Sequence, residues 1–432
     1  MTADHPETLE GQGADHVTPT TDHAGATRRA GVDAPAVDAL PSDWRIAGAV
    51  WPTLVASVLG LLPFTVYSTF LVPIADAVGD SDAAVGALRG LGGIGAVLVG
   101  VAVAPLIGPI PPGRLTAWAL VLLAAMALVG TVSWLPALAV FCLLIGVSNA
   151  VLYPALGTAA ADRFGTGPAS VRAATLVTAT KTLAATLVAP LVAFPALLWG
   201  WRGDLVAIAV VAIVLTPILL RYGRGRQVLD DAAPRHGYFA AFRALAAVPG
   251  ARALLLVSFG QAGAFQGYLA YLALFYTDRF GLSPSTFAFV WTLSGGSFFL
   301  GNLVAGRMVN ATESDQRACR SLHVFLPIAL VSLFGVFLAP VLPVALIATA
   351  VLSASHAVGV AAVATLLVRR SGTVRGTALS LNATGLSLGL FVGAAAGGVG
   401  LAVTGYLGAA SVFGVFTVLS IGAALTLRHR DP

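Results

Sequence analysis

The sequence has very little charge. Only 10% of its 432 residues are Asp, Glu, Lys or Arg, whereas 57% are hydrophobic and the mean hydropathy is +0.89. Soluble globular domains carry about 25% charged residues. Because charge is so scarce, the composition excludes an ordinary soluble protein and predicts an all-α polytopic membrane protein.

Cysteine is also scarce, and no Asp or Glu falls in the middle of a long apolar run. The two cysteines, Cys142 and Cys319, lie in an apolar run and in a charged connector, which predicts neither a disulfide framework nor a metal site. The sequence contains no nucleotide-binding loop, catalytic nucleophile arrangement or metal-ligand cluster, so we predict no cofactor and no enzyme activity. The basic residues occupy short connectors rather than one face, which argues against a nucleic-acid partner.

Long apolar runs dominate the chain from residue 50 onward. Each has about the 20 residues that a helix needs to cross about 30 Å of hydrocarbon. Uninterrupted runs are typical of helices, because the strands of membrane barrels alternate in polarity instead. We number the twelve predicted segments span 1 to span 12: 50–73, 84–107, 115–134, 136–158, 172–198, 203–220, 252–275, 286–306, 322–339, 342–367, 377–403 and 405–427.

The basic residues predict the orientation. All lie in the tails or in connectors after even-numbered spans, except Arg89, Lys181, Arg202 and Arg279. Basic connectors stay in the cytoplasm, so both termini are predicted to be cytoplasmic. The predicted organisation is a disordered cytoplasmic tail 1–45, a six-helix half 46–220, a cytoplasmic linker 221–250, a second six-helix half 251–427 and a cytoplasmic tail 428–432.

Short sequence matches recur at nearly constant spacing between the two sets of six spans. This repetition predicts two pseudo-symmetric halves, the architecture of secondary transporters that bind substrate near the bilayer midplane. The matched segments are 76–79 with 278–281, 148–151 with 355–358, and 171–172 with 374–375.

Span 11 and the turn after it resemble those of a known family. The segment 375–382, the glycines from Gly389 to Gly398 and the turn 405–408 resemble the eleventh helix and following turn of the major facilitator superfamily, of the bacterial drug:proton antiporter type. The resemblance implies a major facilitator fold and proton-coupled efflux of an amphiphilic compound or drug across the bacterial cytoplasmic membrane. A proton gradient would drive it, and the transporter would function as a monomer within the lipid bilayer.

One departure from that family keeps an alternative open. Drug exporters of this type commonly carry an acidic residue in the first helix, but segment 64–70 of this chain contains none. An uptake symporter or uniporter for a polar nutrient therefore remains the alternative function.

Two ionisable side chains inside the spans are candidates for coupling. His356 lies in the middle of span 10 and Lys181 in span 5, and ionisable groups at such depth are often functional. An imidazole titrates near neutral pH, which suits it to carry protons. The alternatives are a neutral His356 bonded to a carbonyl group and a Lys181 that reaches toward the membrane surface.

The resemblance implies that spans 1, 4, 7 and 10 line the substrate path. His356 would then face its repeat mate Asn149 across a shared cavity. Helical spacing adds further polar and aromatic candidates from the same spans, with packing between helices as the alternative interpretation. They are Tyr153 in span 4, Gln261, Phe265 and Tyr268 in span 7, and Thr65 and Ser68 in span 1.

Charged residues near the ends of the spans are candidate gates. Asp76 with Arg89 is expected to close the outer side. Asp162 with the adjacent Arg163 is the expected inner pair, and Arg114 and Arg307 occupy equivalent connectors of the two halves.

Overall fold

The computed structural model describes residues 42–100, 110–165, 168–222, 243, 245–309 and 315–427, which belong to one compact unit, Pro41–Pro432. Every regular element in these ranges is helical. Residues 1–41 of the predicted tail, residues 223–242 and 244 of the predicted linker and the tail 428–432 lie outside the described residues, so those predictions stay predictions.

The first half contains six spans in the predicted order. Two of them are broken into shorter helices, and the last two form one helical segment that is interrupted at Gly200. Span 1 comprises Asp43–Leu59, Leu62–Thr69 and Leu71–Val78; span 2 comprises Asp82–Leu88 and Leu91–Leu98; span 3 is Pro112–Val129; span 4 is Leu135–Asp162; spans 5 and 6 form Pro168–Tyr222.

The second half repeats this arrangement with longer helices. Its last two spans again form one segment, which is interrupted at Thr404 and Gly405. Span 7 is Ala251–Phe280; span 8 is Pro284–Val309; span 9 is Asp315–Phe337; span 10 is Leu342–Arg370; a 3-10 turn covers Gly372–Val374; spans 11 and 12 form Arg375–Leu425. Nine segments of the described part are long and apolar enough to cross a membrane, and one of these, Thr377–Leu425, carries two spans.

Four glycines with positive φ mark the same places in both halves. Gly79 (φ 74°) ends span 1 and Gly281 (φ 66°) ends span 7, each in a left-handed conformation that favours glycine. Gly200 (φ 69°) separates spans 5 and 6, as Gly405 (φ 66°) separates spans 11 and 12. The structure therefore repeats the local geometry that the sequence matches predict.

Span 1 differs from the predicted continuous helix 50–73. Its first helix ends at Leu59, and a second begins at Leu62 with Pro63 in its first turn. Proline has no N–H group and is tolerated at a helix start but not in a helix interior. The carbonyl oxygen of Gly60, in the turn between these two helices, accepts a hydrogen bond from span 4.

Contacts between the halves join span 2 to span 11, the segment of spans 5 and 6 to span 8, and spans 1 and 2 to span 7. We call the end of the bundle where span 1 begins the terminal face, and the opposite end, where span 1 ends and span 2 begins, the distal face. Span 7 and span 11 approach span 2 on the distal side.

Glycines let span 2 approach its neighbours at backbone distance. A Cβ on Gly90 would lie 2.7 Å from the carbonyl oxygen of Phe391, and one on Gly93 would collide with the carbonyl oxygen of Ser387 in span 11. Within the first half, Gly92 meets Gly146 of span 4 in the same way. Small residues at such crossings allow the close packing that stabilises helices in membranes.

We predict that Gly146→Ala destabilises the first half. The added methyl group would collide with the carbonyl oxygen of Gly92, and overpacking of this kind costs about 1–3 kcal/mol. The melting temperature of the purified protein in detergent should fall by several degrees. Gly157→Ala, in the same helix but facing open space, is the matched control and should leave the melting temperature unchanged or slightly raised. Equal melting temperatures for the two variants would contradict the crossing.

Candidate functional site

A small cavity lies inside the second half, among spans 7, 9, 10 and 12. Its volume of about 20 Å³ is enough for a water molecule. Most of the wall is aliphatic, and the polar groups come from spans 7, 10 and 12. The lining residues are Gln261, Ala264, Phe265, Leu326, Ala329, Leu333, Leu352, His356 and Thr417.

His356 is held in this cavity by aromatic stacking. Its imidazole lies 4.0 Å from the ring centroid of Phe265, with an angle of 17° between the two planes, and Phe298 is the next ring at 6.1 Å. The side chain is only 9% exposed. No hydrogen bond to His356 occurs among the described residues, so the alternative of a carbonyl-bonded histidine does not match this conformation, and its coupling role stays a prediction.

Gln261 contributes an amide without partners. It lies one turn before Phe265 on span 7 and is 3% exposed, and neither its Oε1 nor its Nε2 has a hydrogen-bond partner in the described part. Gly359 makes room for it, because a Cβ there would lie 2.6 Å from Nε2. An unsatisfied buried polar group costs about 1–3 kcal/mol, so this amide is available to a water or a ligand.

Tyr268 lies near this cavity, but its hydroxyl is already hydrogen-bonded to another side chain. Its hydroxyl is 2.9 Å from the Thr349 hydroxyl, which also meets the hydroxyl of Tyr276 at 2.9 Å. All three side chains are buried. Of the three candidates on span 7, the structure therefore brings Gln261 and Phe265 to His356 and places Tyr268 in a separate hydroxyl cluster.

A second polar group lies in the first half. Asn149 donates from Nδ2 to the carbonyl oxygen of Gly60 at 2.9 Å, and Tyr153 donates to the carbonyl oxygen of Ser57 at 3.3 Å. The ammonium of Lys181 lies 3.6 Å from the centroid of the Tyr153 ring. Asn149 and His356 thus belong to different groups of side chains, because the break in span 1 supplies a carbonyl partner that the sequence did not reveal.

The two candidates on span 1 face different surroundings. Thr65 is half-buried and donates to the carbonyl oxygen of Leu61 at 3.0 Å. Ser68 is fully buried, and its hydroxyl has no partner among the described residues. Ser68 is the one of the pair with unused hydrogen-bonding capacity.

Arg89 is buried where the halves meet on the distal side. Its Nη1 donates to the carbonyl oxygen of Gln266 in span 7 at 3.2 Å, and the side chain is 8% exposed. Asp76 is exposed, and no ion pair joins it to Arg89. The expected outer pair is absent from this conformation because Arg89 points between the halves rather than along the surface.

The remaining candidate gates lie at the surface. Arg114, Asp162 and Arg307 are all exposed, and their gating role stays a prediction.

One feature that the sequence interpretation missed is Asp82, the first residue of span 2. Burial, followed by the nearby carboxylates of Asp278 and Asp76, raises the pKa of Asp82 above its ordinary value. Acidic side chains from both halves therefore gather on the distal face.

Comparison with known proteins identifies the fold. The family model described as Major Facilitator Superfamily matches residues 53–371. A comparison with curated protein sequences gives no match.

Several solved structures have the same architecture at low sequence identity. A bacterial homolog of the human lysosomal transporter Spinster, inward-facing and unoccupied, has a TM-score of 0.66 at 16% identity over 90% of this chain and 95% of its own. The nucleoside transporter NupG has a TM-score of 0.67 at 14% identity over 87% of this chain and 97% of its own. The human organic anion transporter MFSD10 has a TM-score of 0.59 at 16% identity over 89% of this chain and 100% of its own. Matches at identities this low show the fold alone. These structural matches confirm the predicted twelve-helix membrane fold.

We predict that Gln261→Met separates stability from transport. The thioether fills similar space and removes two unsatisfied polar atoms, so the melting temperature should be unchanged or raised. Transport activity should fall, because the amide is the unpaired polar group of the cavity. Ser258→Ala, one turn away on span 7, removes a 2.5 Å hydrogen bond to Asn382 and should lower the melting temperature instead. A Gln261→Met protein with normal transport would contradict a functional role for the amide.

We also predict that Arg89→Gln weakens the contact between the two halves on the distal side. The shorter, neutral side chain cannot reach the Gln266 carbonyl, and hydrogen bonds from charged groups contribute about 1.5–3 kcal/mol. A cysteine at Ala83, introduced after replacing Cys142 and Cys319 by serine, should react several-fold faster with a water-soluble maleimide in the Arg89→Gln background. Arg202→Gln is the control, because Arg202 bonds to Thr131 and Ser133 within the first half. Unchanged reactivity would show that Arg89 does not hold the halves together.

Proposed function

We propose that this chain, which belongs to the major facilitator superfamily, exports an amphiphilic compound in exchange for protons. Because it belongs to that family, it is a multi-pass membrane protein that transports small molecules and is not an enzyme. In this proposal the protein lies in a bacterial cytoplasmic membrane as a functional monomer, with both termini in the cytoplasm. Alternating access arises from movement of the two halves about the contacts between spans 2 and 11 and between spans 5 and 8.

The observation that carries the proposal is the stack of His356 on Phe265 beside the unpaired Gln261 amide. A mostly apolar wall with few polar groups suits an amphiphilic organic molecule. An imidazole without a fixed hydrogen-bond partner has its ring nitrogens available to a water, a proton or a ligand. The same place in the fold therefore offers a titratable side chain beside an aromatic ring and an unpaired amide.

Uptake of a polar nutrient remains the second candidate function. The free donor and acceptor of Gln261 also suit a ligand rich in hydrogen-bonding groups, and no carboxylate lies in the middle of a described span. The direction of proton movement distinguishes the two functions.

The experiment uses the protein reconstituted in liposomes that contain a pH-sensitive dye. A panel of amphiphilic drugs and polar nutrients is added under an imposed pH gradient, and empty liposomes serve as the control. Proton movement opposite to that of an amphiphilic substrate supports export. Movement in the same direction as a polar substrate supports uptake and contradicts the antiport proposal.

We predict that His356→Gln abolishes proton coupling without unfolding the protein. Glutamine keeps hydrogen-bonding capacity but cannot titrate, so substrate-evoked proton flux should fall at least about tenfold while the melting temperature stays within a few degrees of the wild type. His323→Gln is the matched control, since His323 Nε2 is committed to the Ala424 carbonyl at 3.0 Å. Retained, pH-dependent transport in His356→Gln would exclude His356 as the coupling residue.

A further inference from the structure

Lys181 carries a positive charge that the described protein does not neutralise. It is the only lysine of the sequence and lies in the middle of predicted span 5. In the part of the chain that the structure describes, the ion pair that is found joins Arg370 to Asp315 at the terminal face, and no carboxylate partners Lys181. A charge in a low-dielectric interior is costly without a counter-charge, so this ammonium lacks the partner that such groups normally have.

The contact that Lys181 does make leaves its ammonium available. Nζ lies 3.6 Å from the ring centroid of Tyr153, and the phenol is fixed in place because its hydroxyl donates to the Ser57 carbonyl. A cation–π contact occupies one side of the ammonium and leaves the N–H groups on its other side available to an acceptor. The side chain of Lys181 is partly exposed rather than sealed inside the first half.

Asn149 extends the same polar group. Its Oδ1 is buried and has no partner, while its Nδ2 is bound to the Gly60 carbonyl. A Cβ at Gly60 would lie 2.9 Å from the Tyr153 hydroxyl and 3.0 Å from Asn149 Oδ1, so the glycine leaves space for both. The free Oδ1 can accept a hydrogen bond from a donor group on a ligand held at Lys181.

We propose that Lys181 and Tyr153 bind the anionic group of the transported molecule, so that the substrate class is an amphiphilic organic anion. This inference rests on the proposed function and makes its substrate more specific. The ligand supplies the counter-charge for the ammonium, and its apolar part lies against aromatic and aliphatic side chains. An inside-negative membrane potential drives such an anion outward, which agrees with export.

The test compares three ligands with one aromatic skeleton and different charges: 2-naphthoate, 2-naphthamide and 2-naphthylmethylammonium. Binding to the full-length protein in lipid nanodiscs is measured by titration calorimetry. The wild type should bind the anion about tenfold more tightly than the amide, and the cation most weakly. Lys181→Met should remove this preference, Lys181→Arg should retain it, and Arg202→Gln, which removes a positive charge elsewhere in the first half, should leave it unchanged.

Two results would overturn the proposal: no preference of the wild type for 2-naphthoate, including no binding of any of the three ligands, or a preference that survives in Lys181→Met. The liposome assay separates this outcome from the proposed function. Proton antiport with neutral or cationic substrates only would sustain export and overturn the anion site. Lys181-dependent binding of 2-naphthoate together with proton movement in the same direction as the anion would sustain the anion site and overturn export.

Discussion

A polar group inside hydrocarbon must find its hydrogen-bond partner within the protein, because lipid tails offer none. Several hydroxyl groups in the described spans satisfy this requirement locally: Thr116, Thr216 and Ser411 each donate to the carbonyl four residues earlier. Against that background, the groups that remain unpaired among the described residues stand out. They include the Gln261 amide in the second half and Asn149 Oδ1 in the first.

Each half therefore carries its own polar group, and among the described residues span 2 meets the second half through backbone packing and hydrogen bonds from Arg89 and Tyr271. Glycines of span 2 pack at backbone distance on span 11, and the Arg89 guanidinium joins span 2 to span 7 through a single hydrogen bond. A contact built on backbone packing and few polar links can slide or separate without leaving many charges exposed. This arrangement suits two halves that move as bodies, and it leaves the recognition chemistry within the halves themselves.

Long apolar runs are sufficient to predict the twelve spans, because hydropathy is local in sequence, and the recurring sequence matches predict the duplication. The i, i+4 spacing of Gln261 and Phe265 likewise placed them on one face of span 7. The sequence does not predict the break at Gly60. Pro63 indicates a helix start only if the turn before it interrupts the helix, and the sequence alone does not show that interruption. In the structure Asn149 donates to the Gly60 carbonyl, a contact that helical spacing does not predict. The stack of His356 on Phe265 depends on how spans 7 and 10 pack, which spacing along either helix cannot determine.

The central claim is that the two halves move as bodies and exchange access between the faces, with spans 2, 7 and 11 in contact on the distal side in this structure. Distances from double electron–electron resonance test it most directly. One pair of spin labels is placed at Ser81 and Val403 on the distal face, and another at Thr158 and Leu379 on the terminal face. Both pairs are introduced in a variant whose native cysteines are replaced by serine. Titrating pH and substrate in nanodiscs should lengthen the distal distance and shorten the terminal distance together. Two distances that stay fixed under every condition, or that change in the same sense, would contradict the account.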